Sequence, residues 1–125
     1  MRILILSQYF WPENFKINEL TLEINKRYEV EVLTSIPNYP SGKVNKYFSK
    51  SPNKFSLYKN IKIHRCWQLS RGEGSKIRIF LNYLSFIIFS VFKGIFLKKK
   101  FDVIFIFLPS PIFTAISGII LSKIF

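Results

Sequence analysis

The stretch Gln8-Tyr9-Phe10-Trp11-Pro12-Glu13-Asn14 holds the residue types best suited to chemistry near the start of the chain. It follows an apolar run, Ile3-Leu4-Ile5-Leu6, and precedes the first segment with helical spacing. In an open α/β sheet such a junction is the carboxyl end of a strand, where ligands bind. Three aromatic rings and a proline make this junction bulky and stiff, whereas an ordinary surface turn carries Gly, Asn, Asp or Ser. The loop is therefore expected to form one wall of an active site. The other wall is not expected from so short a chain.

Other chemistry-bearing residues are sparse. His64 is the sole histidine, has no Ser, Cys or acidic cluster beside it in sequence, and reads as a sheet residue. Cys66 is the only cysteine, so no internal disulfide or Cys-rich metal site is expected, and the thiol reads as a small buried group. Gly72-Glu73-Gly74 lacks the third glycine of a dinucleotide fingerprint, because Ile77 stands there.

The elements that must position these residues follow from periodicity. Ile3 to Leu6 has the pattern of a strand buried on both faces of a parallel sheet. Asn14 is a candidate N-cap, and Ile17, Leu20, Ile24 and Tyr28 recur at helical spacing, with Glu23 and Arg27 paired at i,i+4. Val30, Val32 and Thr34 alternate with Glu29, Glu31 and Leu33 as a second strand, completing a strand–helix–strand unit. Residues 35–56 read as loop, with Lys43, Lys46, Lys50 and Lys54 interleaved with Tyr47, Phe48 and Phe55. That mixture suits a phosphate backbone with stacked bases, a lipid headgroup interface, or a solvated loop with anchoring rings. A hairpin follows over residues 55–67, turning at Lys59-Asn60. Residues 77–97 form a long apolar segment closed by Lys98-Lys99-Lys100; Val103 to Leu108 is a third buried strand, and residues 112–125 look helical, with small residues at Ala115, Ser117 and Gly118.

With 125 residues, 49% of them hydrophobic, the chain forms one domain or part of one and excludes a disordered class. The net charge of +12 is uneven: residues 1–31 hold five of the seven acids, whereas residues 32–125 hold two acids against fifteen bases. Such a field attracts nucleic acid, anionic headgroups or phosphorylated ligands without choosing among them. The segments 77–97 and 103–125 each approach the roughly 20 residues that span a bilayer. Against spanning, Pro109-Ser110-Pro111 splits the second, and Arg78 and Lys93 interrupt the first. A parallel sheet is therefore the preferred reading. In it Phe80, Leu81, Leu84, Ile87, Ile88, Val91, Phe92 and Ile95, extended by Phe86, Phe89 and Phe96, give the long helix one broad apolar face, fitted to peripheral attachment at an anionic membrane unless the sheet's helices bury it all.

Five blocks, in order along the chain, resemble family 4 glycosyltransferases of bacterial capsule, O-antigen and colanic-acid assembly. They are Met1-Arg-Ile-Leu with Gln8 to Asn14, then Pro37-Asn-Tyr-Pro-Ser-Gly-Lys43, Arg71-Gly-Glu-Gly-Ser75, Asn82-Tyr-Leu-Ser-Phe86 and Pro109-Ser-Pro-Ile112. The resemblance implies an α/β fold, the N-terminal half of a GT-B enzyme: an incomplete Rossmann-like domain with a mainly parallel sheet over residues 1–125. It further implies retaining transfer, without a metal or other cofactor, from a nucleotide-sugar held by an absent C-terminal domain. The implied acceptor is a polyprenyl-diphosphate-linked saccharide at the inner face of the cell membrane, and activity of the fragment alone is not expected.

Carried over by position, Pro12, Glu13 and Asn14 face the acceptor and the donor diphosphate, Pro37, Asn38, Tyr39 and Lys43 border the acceptor entrance, and Ser110 sits at the mouth of a later strand. Backbone N–H groups at Asn14, Phe15 and Lys16 suit a diphosphate at a helix start. Glu13 has two readings that stay open, a catalytic carboxylate or a charge stabilising that helix. Many relatives have Gly-Gly where Asn14-Phe15-Lys16 stands, and close relatives often have an acid at the position of Leu108. Two other classes remain: a small membrane protein with two spanning helices, and a nucleic-acid binder, ranked last because no known motif for it occurs.

Overall fold

The first apolar run becomes β1 (Arg2–Ser7), buried on both faces from Ile3 onward. In the computed structural model, which describes residues 1–109 and 111–125, β1 leads to α1 (Lys16–Asn25) and the parallel strand β2 (Glu29–Ser35). The expected strand–helix–strand unit is present. Segment 35–56, expected as loop, also contains α2 (Lys46–Lys50), capped by the Asn45 side chain, and a 3-10 turn at Pro52–Phe55. A hairpin, β3 (Leu57–Tyr58) and β4 (Ile61–Cys66), turns through Lys59 and Asn60, both with positive φ (45° and 70°). That pair is the conformation a two-residue hairpin loop of matching twist requires. The chain ends with α3 (Lys76–Ile95), β5 (Val103–Phe107) and α4 (Ile116–Ser122).

The five strands form one sheet in the order β3-β4-β2-β1-β5, parallel except for β3. The fold is thus mixed α/β with a mostly parallel sheet. Ile3, Ile5, Val30, Val32, Ile61 and Ile63 pack under α1 with Ile17 and Phe10, while Leu4, Leu6 and Leu33 face Phe86 and Leu121 on the other side. Both faces are covered, which is why these strands read as continuous apolar runs.

Several expectations fail for identifiable reasons. Asn14 is exposed and does not cap α1; Phe15 holds that position in extended conformation, with no side-chain cap. Asn18 acts instead, accepting from Trp11 N–H at 3.0 Å and donating to Glu13 C=O at 2.8 Å, so the helix binds the loop before it. The buried face of α1 is Ile17, Asn18 and Thr21; of the expected stripe, Ile17 is buried and Ile24 packs on the core, but Leu20 is exposed and Tyr28 lies beyond the helix. Because α1 stops at Asn25, Arg27 cannot pair with Glu23, and Lys26 takes the acid at 2.6 Å.

The sheet's helices leave most of the broad apolar face of α3 uncovered. α3 buries Asn82, Phe86, Ile87, Ser90 and Gly94, whereas Phe80, Ile88, Phe92 and Ile95 of the anticipated face are exposed. Close approach decides this. A Cβ on Gly94 would sit 2.5 Å from Leu121 Cδ2, so only the face of small residues lets α4 dock. Residues 103–125 are a strand, a turn and a short helix, so they do not form one continuous span.

His64 also has an acid neighbour that its sequence surroundings did not reveal. Glu31, buried on β2, accepts from His64 Nε2 at 2.5 Å and from the Lys99 ammonium. Burial alone would raise the Glu31 pKa, but the hydrogen bonds from Lys99 and His64 hold the carboxyl below its ordinary value. Burial likewise holds His64 below the usual imidazole range, so it serves as a neutral donor within the sheet.

Gly94→Val should lower the unfolding free energy by about 2 kcal/mol in urea titrations, the scale of overpacking in a filled core. Combining it with Leu121→Ala should cost less than the sum of the two single changes, because one removes the clash made by the other.

Candidate functional site

Chain order along the sheet reverses between β1 and β5: β2 and β4 lie on one side of β1, and β5 on the other. Loops leaving the carboxyl ends of β1, β2 and β4 meet beside this point, and the interactions among them are mainly polar.

The loop after β1 is fixed from both ends. Gln8 C=O accepts from Ser35 Oγ at 2.6 Å and Thr34 Oγ1 at 3.3 Å. Phe10 is fully buried against the edge of Tyr58, and Trp11 stacks on Tyr58 with centroids 5.2 Å apart. Two of the three conspicuous aromatics are therefore brackets to the hairpin. Only Tyr9 joins the site, stacked on Phe15 at 4.9 Å and tilted against Tyr39 at 5.5 Å. The Trp11–Pro12 and Tyr39–Pro40 peptides are both cis.

Glu13 is buried, and its Oε2 accepts from the backbone N–H of Tyr39 at 2.6 Å and of Asn38 at 3.1 Å. It thus ties the first loop to the second and does not serve the start of α1. Burial pushes its pKa up to about 7, opposed by those two N–H groups and by the charge of Arg65. Oε1 has no hydrogen-bond partner.

A chain of amides joins the third loop. Gln8 Nε2 donates to Gln68 Oε1 at 3.1 Å and to Asn82 Oδ1 at 2.8 Å, and Asn82 Nδ2 donates to Leu69 C=O at 2.6 Å. All three side chains are buried. Arg71 lies over the rings of Tyr9 and Tyr83, 5.5 and 5.3 Å from their centroids, and donates to Tyr83 Oη at 2.7 Å. Burial raises the Tyr9 phenol well above its usual value although Arg71 pulls it down, so it stays protonated. The second and third loops touch through Gly72 N–H donating to Gly42 C=O at 2.8 Å. Gly42 has φ +74°, and a Cβ there would lie 2.3 Å from the Gly72 carbonyl oxygen. No other residue permits that closure.

Among the described residues, every buried side-chain polar atom without a hydrogen-bond partner belongs to this cluster. They are Gln8 Oε1, Glu13 Oε1, Asn38 Oδ1 and Nδ2, Gln68 Nε2, Arg71 Nε and Tyr9 Oη. Buried polar atoms are normally paired, and concentration of the exceptions in one place marks a site.

The structure brings together Glu13, Phe15, Asn38 and Tyr39 of the anticipated residues. Pro12 flanks the cluster half-buried, and buried Pro37 accepts from Asn45 N–H at 2.8 Å. Asn14, Lys16 and Lys43 are exposed. Ser110 lies outside the described residues. Gln8 and Tyr9 lie in the loop expected as one wall of the site, whereas Gln68, Arg71, Asn82 and Tyr83 were not among the expected site residues. The signal for one of them was visible: Asn82 is an amide inside an otherwise apolar segment.

Among the described residues no group of three or more His, Cys, Asp or Glu is placed to hold a metal. Burial pushes the Cys66 thiol up to about 12, so it is an inert core group. Two clefts of about 300 and 330 Å³ lie apart from the cluster, along β4, and share Arg65 and Lys93.

Glu13 gives a pH signature. Its raised pKa means the folded state keeps a proton that the unfolded chain releases above about pH 4.5. The associated stability is complete below that pH and is lost as pH rises through 7. Chemical denaturation at pH 4.5 and pH 7.5 should show the native chain losing stability relative to Glu13→Gln over that interval. Comparisons with protein-family models, curated proteins and solved structures return no match.

Proposed function

We propose that this chain is the Rossmann-like, acceptor-side part of a family 4 glycosyltransferase of the GT-B type, working at a membrane surface. The unpartnered atoms of the loop cluster carry the reading. Three are acceptors, three are donors and one is a hydroxyl. A ligand that answers both kinds at once is a ring bearing several hydroxyl groups, since each hydroxyl donates and accepts. Tyr9, Phe15 and Tyr39 supply the aromatic surface on which the apolar face of such a ring rests. The position supports the same conclusion, because ligands of open α/β sheets bind where strand order reverses.

In this reading the Gly42–Gly72 contact parts to admit a saccharide, which Asn38, Gln68 and Arg71 orient from the second and third loops. Glu13 Oε1 lies ready to accept from a sugar hydroxyl, with a proton affinity near neutrality suited to that exchange. The acceptor hydroxyl then attacks the anomeric carbon of a nucleotide-sugar as the bond from that carbon to the diphosphate oxygen breaks, and the hydroxyl proton goes to the departing nucleoside diphosphate. The nucleotide-sugar rests on a second domain outside these 125 residues, and transfer proceeds with retention.

The acceptor saccharide carries a polyprenyl diphosphate, which places the reaction at the inner face of the cell membrane. Two features support this. The outward face of α3 exposes Phe80, Ile88, Phe92 and Ile95, and α3 is long and apolar enough to cross a membrane. Lys98 and Lys100 follow it, exposed, to meet anionic headgroups.

Amide chemical-shift mapping with a panel of hexoses, 6-deoxyhexoses and N-acetylhexosamines should move Gln8, Asn38, Gln68 and Arg71 together. Gln68→Leu should weaken the best binder about tenfold, the scale of one lost hydrogen bond to an unpaired partner. A panel in which no sugar perturbs the cluster would sink the reading. Co-sedimentation with phosphatidylglycerol vesicles should fall sharply in Phe92→Glu, and binding should weaken as salt is raised.

A further inference from the structure

One charge in the loop cluster has no counter-charge. Arg71, in the loop between β4 and α3, lies over the rings of Tyr9 and Tyr83 and donates to Tyr83 Oη at 2.7 Å. Its Nε is buried and has no hydrogen-bond partner. Among the described residues no carboxylate forms an ion pair with it; the acids that do pair take Arg2, Lys26, His64 and Lys99. Glu73, two residues on, is exposed. Glu13, the acid of the cluster, commits Oε2 to the N–H groups of Asn38 and Tyr39, and the basic charge that acts on it is that of Arg65. Arg71 is thus a half-buried cation without an acid, whereas a charge withdrawn from water is normally paired.

The surrounding chain holds this cation in place. Arg78, in the first turn of α3, donates from Nε to Ser70 C=O at 2.8 Å and from Nη2 to Ser70 Oγ at 3.4 Å, which pins the residue before Arg71. Asn82 holds Leu69 by the same means. Tyr83 comes from α3 and Tyr9 from the loop after β1, so two other segments fix the guanidinium. Its Nε is enclosed by this chain's own residues, so the missing partner does not come from a surface left bare.

We infer, on the strength of the saccharide reading above, that the ring taken by this cluster is acidic: a hexuronic acid residue whose carboxylate pairs with Arg71 while the ring lies against Tyr9, Phe15 and Tyr39. Shape favours a carboxylate. A guanidinium lying over aromatic rings keeps its in-plane edge for hydrogen bonds, and a carboxylate, planar itself, accepts two parallel N–H groups there. A phosphate presents oxygens out of that plane, and a neutral hydroxyl leaves the charge unanswered. Access comes from the contact between the second and third loops. Gly72, the residue after Arg71, donates to Gly42 C=O, and parting of that bond frees the backbone beside the guanidinium. The same arrangement discriminates between rings of equal size, because a neutral ring leaves a desolvated charge unpaired.

The probes are methyl glucuronide and methyl galacturonide, each beside its neutral methyl hexoside and the methyl ester of its carboxyl group. Titration of the full chain, followed by the amide shifts of Gln8, Asn38, Gln68 and Arg71, should give at least one uronide a Kd about tenfold below that of its hexoside, the scale of a charge-assisted hydrogen bond. The ester keeps the shape and loses the charge, so it should bind like the hexoside, and this arm needs no change to the protein. Arg71→Gln should bring uronide and hexoside within about twofold of each other. Arg71→Lys should restore only part of the difference, because an ammonium is a point charge without the fork. Equal affinity of uronide, ester and hexoside would overturn the inference and leave the saccharide reading intact. So would tighter binding of hexose 6-phosphate than of the uronide, or a preference that survives Arg71→Gln. Acetate moving the same amides as far as the uronide would show a bare anion site and overturn it too. Silence of the cluster toward every ring would remove both readings.

Discussion

Two side chains, half-buried Arg65 and buried Glu13, hold the carboxyl edge of this sheet together. The Arg65 guanidinium, on β4, donates to Trp11 C=O, to Ser35 C=O at 3.0 Å and to Phe55 C=O at 3.1 Å. Three chain segments meet on one rigid fork. Burial pulls its pKa down to about 10, which still leaves it charged at neutral pH. Glu13 does the complementary work, gathering the N–H groups of Asn38 and Tyr39. Loop backbone ends that would otherwise need water thus find partners inside. The loops cross the end of the sheet in defined positions because of these two side chains.

How much of this could be read beforehand follows from the kind of interaction involved. The strands were legible, since burial on both faces writes itself into runs such as Ile3 to Leu6; β5 carries the same kind of run but, against expectation, keeps Val103 and Phe105 exposed. The turn at Lys59-Asn60 was legible as well, because local backbone geometry selects the residue. The inner face of α3 was less so. An apolar face with Phe80 and Phe92 was legible and lies outward, but nothing local marked Asn82, Ser90 and Gly94 as the side turned inward. Closeness of approach and a hydrogen bond to Gln8 outweighed apolar area there, and both depend on neighbours remote in sequence.

The site divides the same way. Glu13, Asn38 and Tyr39 stood out by residue type and by their loops. The contact between them, and the part played by Gln68 and Arg71, arise only when β4 is placed beside β2. The aromatic stretch misled in a useful direction: Phe10 and Trp11 are conspicuous because they anchor the loop, and Tyr9 alone serves the cluster. His64 likewise gained an acid from across the sheet, not from along the chain.

The meeting of Gly42 and Gly72 has a consequence for how such a chain varies in inheritance. The two positions are thirty residues apart, on loops that leave different strands, yet the space between them is too small for a single carbon. A mutation that put a side chain at Gly42 would have to wait for a matching change in the path of the Gly72 loop. The loops after β2 and β4 would then behave as one evolutionary unit, drifting in concert while the lysine-rich segment between them drifts freely.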